Sequence, residues 1–138
     1  MAKDVKYEDI KIGDKASVSK TISEFDVYAF AGVTTDFNPV HINKEFAKDS
    51  MFKQRIAHGM LSAGLISAVL GTELPGVNTI YMNQSLSFLA PVFYGDTLTA
   101  TVECKEKDDA KHHIIFKTTV TNQDGKVVTD GEARVMKK

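Results

Sequence analysis

The sequence predicts an α+β fold in which a curved antiparallel sheet wraps around one central apolar helix. Residues 61–70 (LSAGLISAVL) would form a helix that is apolar nearly all round. Ten residues are too few to span a bilayer, so the rest of the chain must cover this helix. Residues 78–136 contain four strand-like runs separated by short turns, which is typical of an antiparallel sheet. A sheet that curls around the helix would bury it.

The N-terminal half begins with one strand and one helix. Residues 15–22 (KASVSKTI) alternate small or apolar residues with polar ones, which predicts a half-buried strand. Ser23 can cap the following helix, with Asp26 three residues later as an imperfect capping-box partner. Gly32 and the two threonines that follow Val33 indicate where this helix ends.

A stiff turn and one short helix follow. We expect residues 36–41 (DFNPVH) to form a turn, because Pro39 fixes its own φ angle and disfavours a helical conformation at Asn38. Asn43 can then cap a short helix that continues through residues 46–50. The central apolar helix comes next.

Four strand-like runs make up most of the remaining chain. They cover residues 78–90, 96–105, 111–122 and 127–136. The turn before the last run contains Asp124-Gly125, a strong hairpin signal. Because the runs are long and the turns are short, we expect these strands to form an antiparallel meander, each paired with the next along the chain.

Composition and charge narrow the range of functions. The 138 residues suffice for one domain with its own core, and we expect residues 1–138 to form a single domain. A formal net charge of -1 argues against nucleic acid as a partner. Cys104 is the only cysteine, so an intrachain disulfide is impossible, which suits a cytoplasmic location. No apolar run is long enough to span a bilayer and no secretory signal is visible, so we expect no membrane partner.

The turn at residues 36–41 is the first candidate for chemistry. Asp36, Asn38 and His41 place a carboxylate, a carboxamide and an imidazole within six residues, and the stiff turn can aim all three into one cavity. An aspartate paired with a histidine supplies a base and a proton carrier near neutral pH. Taken alone, the stretch has a simpler explanation, in which Asp36 and Asn38 make local turn hydrogen bonds and His41 lies on the surface.

His58-Gly59-Met60, just ahead of the apolar helix, is the second candidate. A glycine at a helix start exposes free backbone N–H groups at the positive end of the helix dipole, where they can hold a developing oxyanion. Taken alone, Gly59 is more simply a structural turn, and His58 a cap or a satisfied buried imidazole. Together the two stretches supply a base, a proton shuttle and an oxyanion donor, which are the parts needed for chemistry beside a carbonyl group.

No metal site is predicted. Asp36, His41 and His58 could in principle bind an ion, but their spacing matches no known ligand pattern. His112 and His113 lie on a predicted strand, where successive side chains point to opposite faces, which indicates a half-exposed pair rather than a metal site.

The sequence resembles the MaoC-like (R)-specific enoyl-CoA hydratases over nearly its whole length. Four segments carry the resemblance, in the order and spacing of that family: DFNPVH at 36–41, IAHGML at 56–61, YMNQSLSF at 81–88 and PVFYGD at 91–96. The family includes short single-domain enzymes that supply (R)-3-hydroxyacyl-CoA for polyhydroxyalkanoate synthesis. It has the hot-dog fold, in which two protomers usually join their sheets edge to edge. The resemblance therefore implies a hot-dog domain that forms a homodimer.

The resemblance also implies roles for individual residues. Asp36 and His41 match the catalytic pair of the family. Asn38 matches the asparagine that helps hold the site, and Gly59 matches the glycine whose backbone N–H binds the thioester oxygen. The implied reaction is the reversible syn hydration of a trans-2-enoyl-CoA to an (R)-3-hydroxyacyl-CoA. Coenzyme A is then part of the substrate, and neither a cofactor nor a metal is required.

The sequence also suggests which residues contact the substrate, and it leaves two alternative functions open. We expect four further residues to contact the acyl-CoA substrate: His58, Met60, Phe37 and Val33. One alternative is a hot-dog thioesterase, in which a carboxylate activates water at the thioester carbonyl. The other is a non-catalytic acyl-CoA-binding domain, against which the intact Asp-Asn-His set speaks, because a binding domain needs no base.

Overall fold

The structure, a computed structural model, describes residues 1–138 and contains five strands and four α-helices. In chain order these are β1 (Lys15–Thr21), α1 (Glu24–Thr34), α2 (Pro39–Ile42), α3 (Lys44–Lys48), α4 (Gly59–Thr72), β2 (Thr79–Phe88), β3 (Thr97–Asp108), β4 (His113–Thr121) and β5 (Val127–Lys137). The α+β prediction is confirmed, and every predicted strand is present. None of the helices is both long and apolar enough to cross a membrane.

All five strands form one antiparallel sheet in the order β1-β3-β4-β5-β2. Strands β3, β4 and β5 form a meander as predicted, but the predicted pairing of β2 with β3 is wrong, because β2 pairs with β5 at the sheet edge. Residues 89–96 connect β2 to β3 and make backbone bonds to other segments: Ala57 N–H donates to the Val92 carbonyl, and Ile22 N–H to the Asp96 carbonyl. This segment is a crossover anchored by long-range bonds and not a hairpin turn.

Helix α4 lies inside the curl of the sheet and packs against all five strands. Ile66, Val69 and Leu70 are buried in a core that also contains Phe116 of β4. The sheet wraps around this helix as predicted, but one stripe of the helix stays exposed. The α4 stripe consists of four exposed residues at successive turns of the helix: Met60, Gly64, Ser67 and Gly71. This single chain therefore leaves one face of its central helix open.

The segment that leads to the site begins with α1. Ser23 and Asp26 form a complete capping box, in which the Ser23 hydroxyl accepts from the Asp26 N–H at 3.1 Å and the Asp26 carboxylate accepts from the Ser23 N–H at 2.9 Å. Thr35 ends the helix in the left-handed conformation, with a φ of 66°. Residues 36–41 form a turn only in part, because Pro39 starts α2. Proline is favoured at the first helical position, where its missing N–H would have no helical acceptor.

The two edges of the sheet differ in chemistry. The edge strand β1 exposes polar residues such as Ser17 and Ser19. The opposite edge strand, β2, exposes Ile80, Met82 and Phe88. An open edge with apolar side chains is a surface that another chain can cover.

The last strand is tied to the N-terminal segment. Lys137 of β5 is fully buried, and its ammonium group donates to the carboxylate of Asp4 and to the carbonyl of Val77. Asp4 also forms an isolated antiparallel bridge with Gly76. The N-terminal segment is therefore held beside the end of α4 and the end of the sheet.

Candidate active site

Three polar side chains, Asp36, His41 and His58, line one cleft with a volume of about 290 Å³. A carboxylate oxygen of Asp36 and one ring nitrogen each of His41 and His58 lie within 4.8 Å of one another. The walls of the cleft are formed by Phe30, Thr34, Asp36, His41, His58, Gly59 and Met60. The structure thus brings together the two stretches that the sequence singled out, residues 36–41 and 58–60.

His41 projects from α2 with a side chain that is almost buried, and its proton is fixed by the backbone. Its Nδ1 lies 2.8 Å from the carbonyl oxygen of Ile56. A carbonyl only accepts hydrogen bonds, so Nδ1 carries the proton and Nε2 keeps its lone pair. Burial lowers the pKa of His41 below the ordinary value of 6.5, against the opposing effect of the Ile56 carbonyl; His58 lowers it further and Asp36 raises it. At neutral pH His41 is therefore an uncharged imidazole that can accept a hydrogen bond from water.

Two contacts hold the short helix that carries His41. The side chain of Asn38 caps α2 by accepting from the Val40 N–H at 3.2 Å. The hydroxyl of Tyr94 donates to the carbonyl of His41 from the segment between β2 and β3. Asn38 was predicted as a catalytic residue, and in the structure its side chain caps this helix and does not line the cleft.

Asp36 presents a solvated carboxylate to the cleft. Its side chain is 50% exposed. One carboxylate oxygen, Oδ1, accepts from the Asn38 N–H at 3.2 Å, and the Asp36 N–H donates to the Thr34 hydroxyl at 3.2 Å. The other oxygen, Oδ2, makes no hydrogen bond within the protein and lies 4.0 Å from His58 Nε2. One oxygen is thus held in place while the other is available to water.

Gly59 is the first residue of α4, and its N–H has no hydrogen-bond partner in the protein, as expected at a helix start. Phe88 packs so closely that a Cβ atom at position 59 would lie 2.7 Å from Phe88 Cδ1. On the carbonyl side, the Ser62 hydroxyl donates to Gly59 O at 2.6 Å and lies 2.9 Å from the Thr129 hydroxyl. The first turn of α4 is therefore fixed, with a free N–H at the positive end of the helix dipole.

A second cavity, with a volume of about 430 Å³, adjoins the polar cleft. Most of its lining is apolar and includes Phe52, Ile56 and Leu89. Gly59 and Met60 line both cavities. Gly59 therefore lies where a polar cleft meets an apolar space suited to a hydrocarbon chain.

Two predicted substrate contacts lie away from the cleft. Val33 of α1 is 85% exposed, and Phe37 is 56% exposed. Neither side chain lines the cleft. The side of α1 that faces the cleft carries Phe30 and Thr34, which are one helical turn apart. Neither of these two was predicted to belong to the site.

The other two predicted substrate contacts, Met60 and His58, both line the cleft. The buried ring of His58 also makes a contact that was not predicted. His58 Nε2 lies 2.9 Å from the backbone carbonyl of Asp36, and the ring stacks on His41 with a centroid distance of 3.9 Å. The other missed contacts are the Ile56 carbonyl and the Tyr94 hydroxyl. Tyr94 belongs to a segment that resembles the family, but backbone carbonyls have no sequence signature.

The cluster of Asp36, His41 and His58 offers few free metal ligands. His41 Nδ1 and His58 Nε2 both face backbone carbonyls and carry protons, so neither has a lone pair for an ion. His58 Nδ1 is buried. This leaves His41 Nε2 and the Asp36 carboxylate, fewer than the three protein ligands usual at a catalytic zinc.

The arrangement can activate water next to a carbonyl compound. A carboxylate oxygen and an uncharged imidazole nitrogen can both accept hydrogen bonds from one water molecule held between Asp36 and His41. The N–H of Gly59 can donate to an oxygen on which negative charge develops. The adjoining apolar cavity can hold the rest of such a substrate.

Comparisons with known proteins agree with this chemistry. A family model described as "MaoC like domain" matches residues 9–126. The chain is 58% identical over 130 residues to an (R)-specific enoyl-CoA hydratase of Rhodospirillum rubrum, covering 94% of this chain and 90% of that protein. It is 46% identical to the unliganded R-hydratase PhaJ1 from Pseudomonas aeruginosa, with a TM-score of 0.93 over 97% of this chain and 86% of that chain. An (R)-hydratase from Aeromonas caviae involved in PHA biosynthesis aligns with a TM-score of 0.91 at 42% identity, over 94% of this chain and 98% of that chain.

Proposed function

The chain belongs to the MaoC-like domain family, and from this membership and the geometry of the cleft we propose that it catalyses the reversible syn hydration of a trans-2-enoyl-CoA to an (R)-3-hydroxyacyl-CoA. Its hot-dog fold is that of the aligned R-hydratase structures. Relatives at 42–58% identity are named (R)-specific enoyl-CoA hydratase or 3-hydroxybutyryl-CoA dehydratase. The substrate class is therefore an acyl-CoA thioester with a double bond next to its carbonyl group.

In the hydration direction, Asp36 acts as the base. Its free Oδ2 takes a proton from a water molecule that also donates to His41 Nε2, and the water oxygen bonds to Cβ of the substrate. The electrons of the C=C bond move toward the thioester oxygen, where the Gly59 N–H and the α4 dipole stabilise the charge. A proton from the Asp36–His41 pair then reaches Cα, so one water is added and no proton is gained or lost. The addition involves no change of oxidation state in the enzyme, so it needs no redox cofactor.

A single observation carries this proposal: the Asp36 carboxylate and the ring of His41 line one cleft with the N–H-bearing Gly59. Water activation alone would also suit a hydrolase. Both reactions also need an oxyanion donor and an apolar space for the acyl chain, and Gly59 and Met60 line the polar and apolar cavities together. The relatives cited above are hydratases, which favours hydration over the thioesterase and the acyl-CoA-binding alternatives.

The experiment is to compare Asp36→Asn with the wild type on crotonyl-CoA and longer trans-2-enoyl-CoAs. We expect kcat to fall by about 10²–10⁴-fold, because the base is lost while the shape of the side chain is kept. Asp49→Asn is the matched control, since Asp49 is exposed and its carboxylate makes no hydrogen bond or ion pair. Loss of the enoyl absorbance measures hydration, and chiral analysis identifies the product.

Two outcomes contradict the proposal. An Asp36→Asn enzyme with wild-type kcat would remove the assignment of the base. Release of free thiol from a saturated acyl-CoA, with no loss of enoyl absorbance from crotonyl-CoA, would identify a thioesterase instead.

The exposed apolar surface supports a homodimer as part of the proposed function. The edge strand β2 exposes Ile80 and Met82, and the α4 stripe leaves one face of the central helix open. A cavity of about 480 Å³ lies between them, lined by residues of the stripe and of β2. Pairing of two β2 edges would cover this surface and satisfy the unpaired backbone groups of the edge.

The oligomeric state tests this part of the proposal. Light scattering coupled to gel filtration should give about twice the mass of one chain. Met82→Lys should shift the protein toward the monomer, because a charge on the covered edge would lose its water. Ser17→Lys, on the opposite edge strand, should leave the dimer intact. A wild-type monomer, or equal effects of both substitutions, would contradict it.

A further inference from the structure

The buried side chain of His58 makes the one long-range hydrogen bond to the segment that carries Asp36. Its Nε2 lies 2.9 Å from the carbonyl oxygen of Asp36, so this nitrogen carries the proton and donates. The other hydrogen bonds of residues 35–38 join positions close in sequence, such as Asp36 to Thr34 and Asn38 to Asp36. Without His58, only local turn bonds would fix the direction of the Asp36 carboxylate.

The ring of His58 also supports the second member of the pair. It stacks on His41 with a centroid distance of 3.9 Å and an angle of 29° between the ring planes. The ring of His58 also packs against the ring of Phe30, with a centroid distance of 4.8 Å and an angle of 49° between the ring planes. His58 therefore lies among aromatic neighbours, and its ring orientation is determined by packing as well as by hydrogen bonding.

The backbone of His58 completes the connection, because His58 is the residue from which α4 starts. Its φ and ψ angles of -61° and 136° are extended, and its carbonyl accepts the N–H of Leu61 in the first turn of the helix. The next residue is Gly59, which lines the cleft and has a free N–H. One residue thus contacts Asp36, packs on His41 and positions the start of the helix at Gly59.

We propose that His58 is a positioning residue that fixes the positions of the Asp36 carboxylate and the His41 imidazole relative to the Gly59 N–H. This inference rests on the proposed hydratase function and deepens it. The sequence predicted that His58 contacts the acyl-CoA substrate. Its side chain is 2% exposed, so we infer that it acts through its neighbours instead. Its donor must be at Nε2, the only ring nitrogen that reaches the Asp36 carbonyl.

Substitutions at position 58 can separate the hydrogen bond from the packing. His58→Phe keeps a ring beside His41 but has no donor for the Asp36 carbonyl. In His58→Gln the side-chain amide nitrogen lies as far along the chain as Nε2 and can still donate. In His58→Asn the amide is one atom too short. The last two variants both lack the ring, so they form a matched pair.

The inference predicts a loss in kcat with little change in KM. We expect His58→Phe and His58→Asn to lower kcat by about 10²-fold, because a displacement of catalytic groups by about 1 Å has effects of that size. His58→Gln should recover most of this loss. Thermal unfolding of each variant identifies a folding defect; if His58→Phe does not fold, the comparison of His58→Gln with His58→Asn decides.

A double-mutant cycle tests whether His58 acts through Asp36. In an Asp36→Asn background, His58→Phe should lower kcat by less than threefold further, since the lost hydrogen bond positions a base that is already absent, and the Phe ring keeps the packing on His41. A tenfold or larger additional loss, a wild-type kcat in His58→Phe, or a rise in KM at unchanged kcat would overturn the inference. The proposed function fails on a different result, an active Asp36→Asn enzyme, so the two failures are distinguishable.

Discussion

Gly59 offers a test of the oxyanion donor that separates the donor from the space around it. Gly59→Ala keeps the backbone N–H and adds a Cβ atom. Gly59→Pro adds a ring and removes the N–H, at a helix position where proline is well tolerated. The extended conformation of His58, with ψ at 136°, suits a residue that precedes proline.

The structure sets the size of the steric effect. A Cβ at position 59 would lie 2.7 Å from Phe88 Cδ1 and 2.8 Å from Cε1. Carbon atoms pack best at about 3.5–4.0 Å, so the Phe88 ring must retreat by roughly 1 Å. Phe88 is 53% exposed, so the ring has room to move. We expect Gly59→Ala to lower kcat by up to about 10²-fold through this displacement.

Loss of the N–H should add to this effect. Removal of one oxyanion donor costs about 10²–10³ in kcat, so Gly59→Pro should be slower than Gly59→Ala by that factor. The unfolding free energy of Gly59→Ala should equal or exceed that of the wild type, because alanine is up to about 1 kcal/mol more favourable than glycine within a helix. Activity and stability would then move independently.

The assay is steady-state hydration of crotonyl-CoA, followed by loss of the enoyl absorbance, with thermal unfolding of the same samples. Gly32→Ala is the control, since Gly32 lies within helix α1, does not line the cleft, and a Cβ there would meet nothing within 4 Å. It should keep wild-type kcat and gain about 0.5–1 kcal/mol in unfolding free energy. Equal kcat values for Gly59→Pro and Gly59→Ala would refute the assignment of the Gly59 N–H as the donor.

Three further predictions concern protonation and buried polar groups. The value of kcat/KM should fall as the pH falls, with a midpoint below 6.5, because protonated His41 cannot accept a hydrogen bond from water; a midpoint above 6.5 in the pH profile would contradict this. Ser62→Ala should cost about 1–3 kcal/mol in urea unfolding, because it leaves the buried Thr129 hydroxyl without its partner, and Thr129→Val should cost less. Asp4→Ala should lower the melting temperature more than Lys137→Met, because only the first leaves a buried charge unpaired; the reverse order would contradict it.

Local patterns predicted the elements well because the signals lie within a few residues. The Ser23–Asp26 capping box, the strand at residues 15–22 and the hairpin at Asp124-Gly125 each depend on near neighbours. The pairing of β2 with β5 was missed. Residues 89–96 form backbone hydrogen bonds with distant parts of the chain, and such bonds produce no recognisable pattern in the sequence. The preference for short connections pointed to the wrong neighbour.

In the candidate site, too, local motifs were predictable and long-range contacts were not. The clustering of Asp36, His41 and Gly59 followed from two short motifs and from the family resemblance. The orientation of each side chain depends on contacts from elsewhere in the chain, such as the carbonyl of Ile56 for His41. The exposure of Val33 could not be read from its spacing, since α1 carries apolar residues on more than one face.

The backbone hydrogen bond to His41 has a consequence for how this site can evolve. Every amino acid brings a carbonyl group, so the tautomer of His41 depends on the path of the main chain at position 56 and not on which residue stands there. The side chain of Ile56 lines the apolar cavity. Mutational drift at this position can therefore reshape the acyl pocket, and with it the preferred chain length, while the imidazole keeps its proton arrangement.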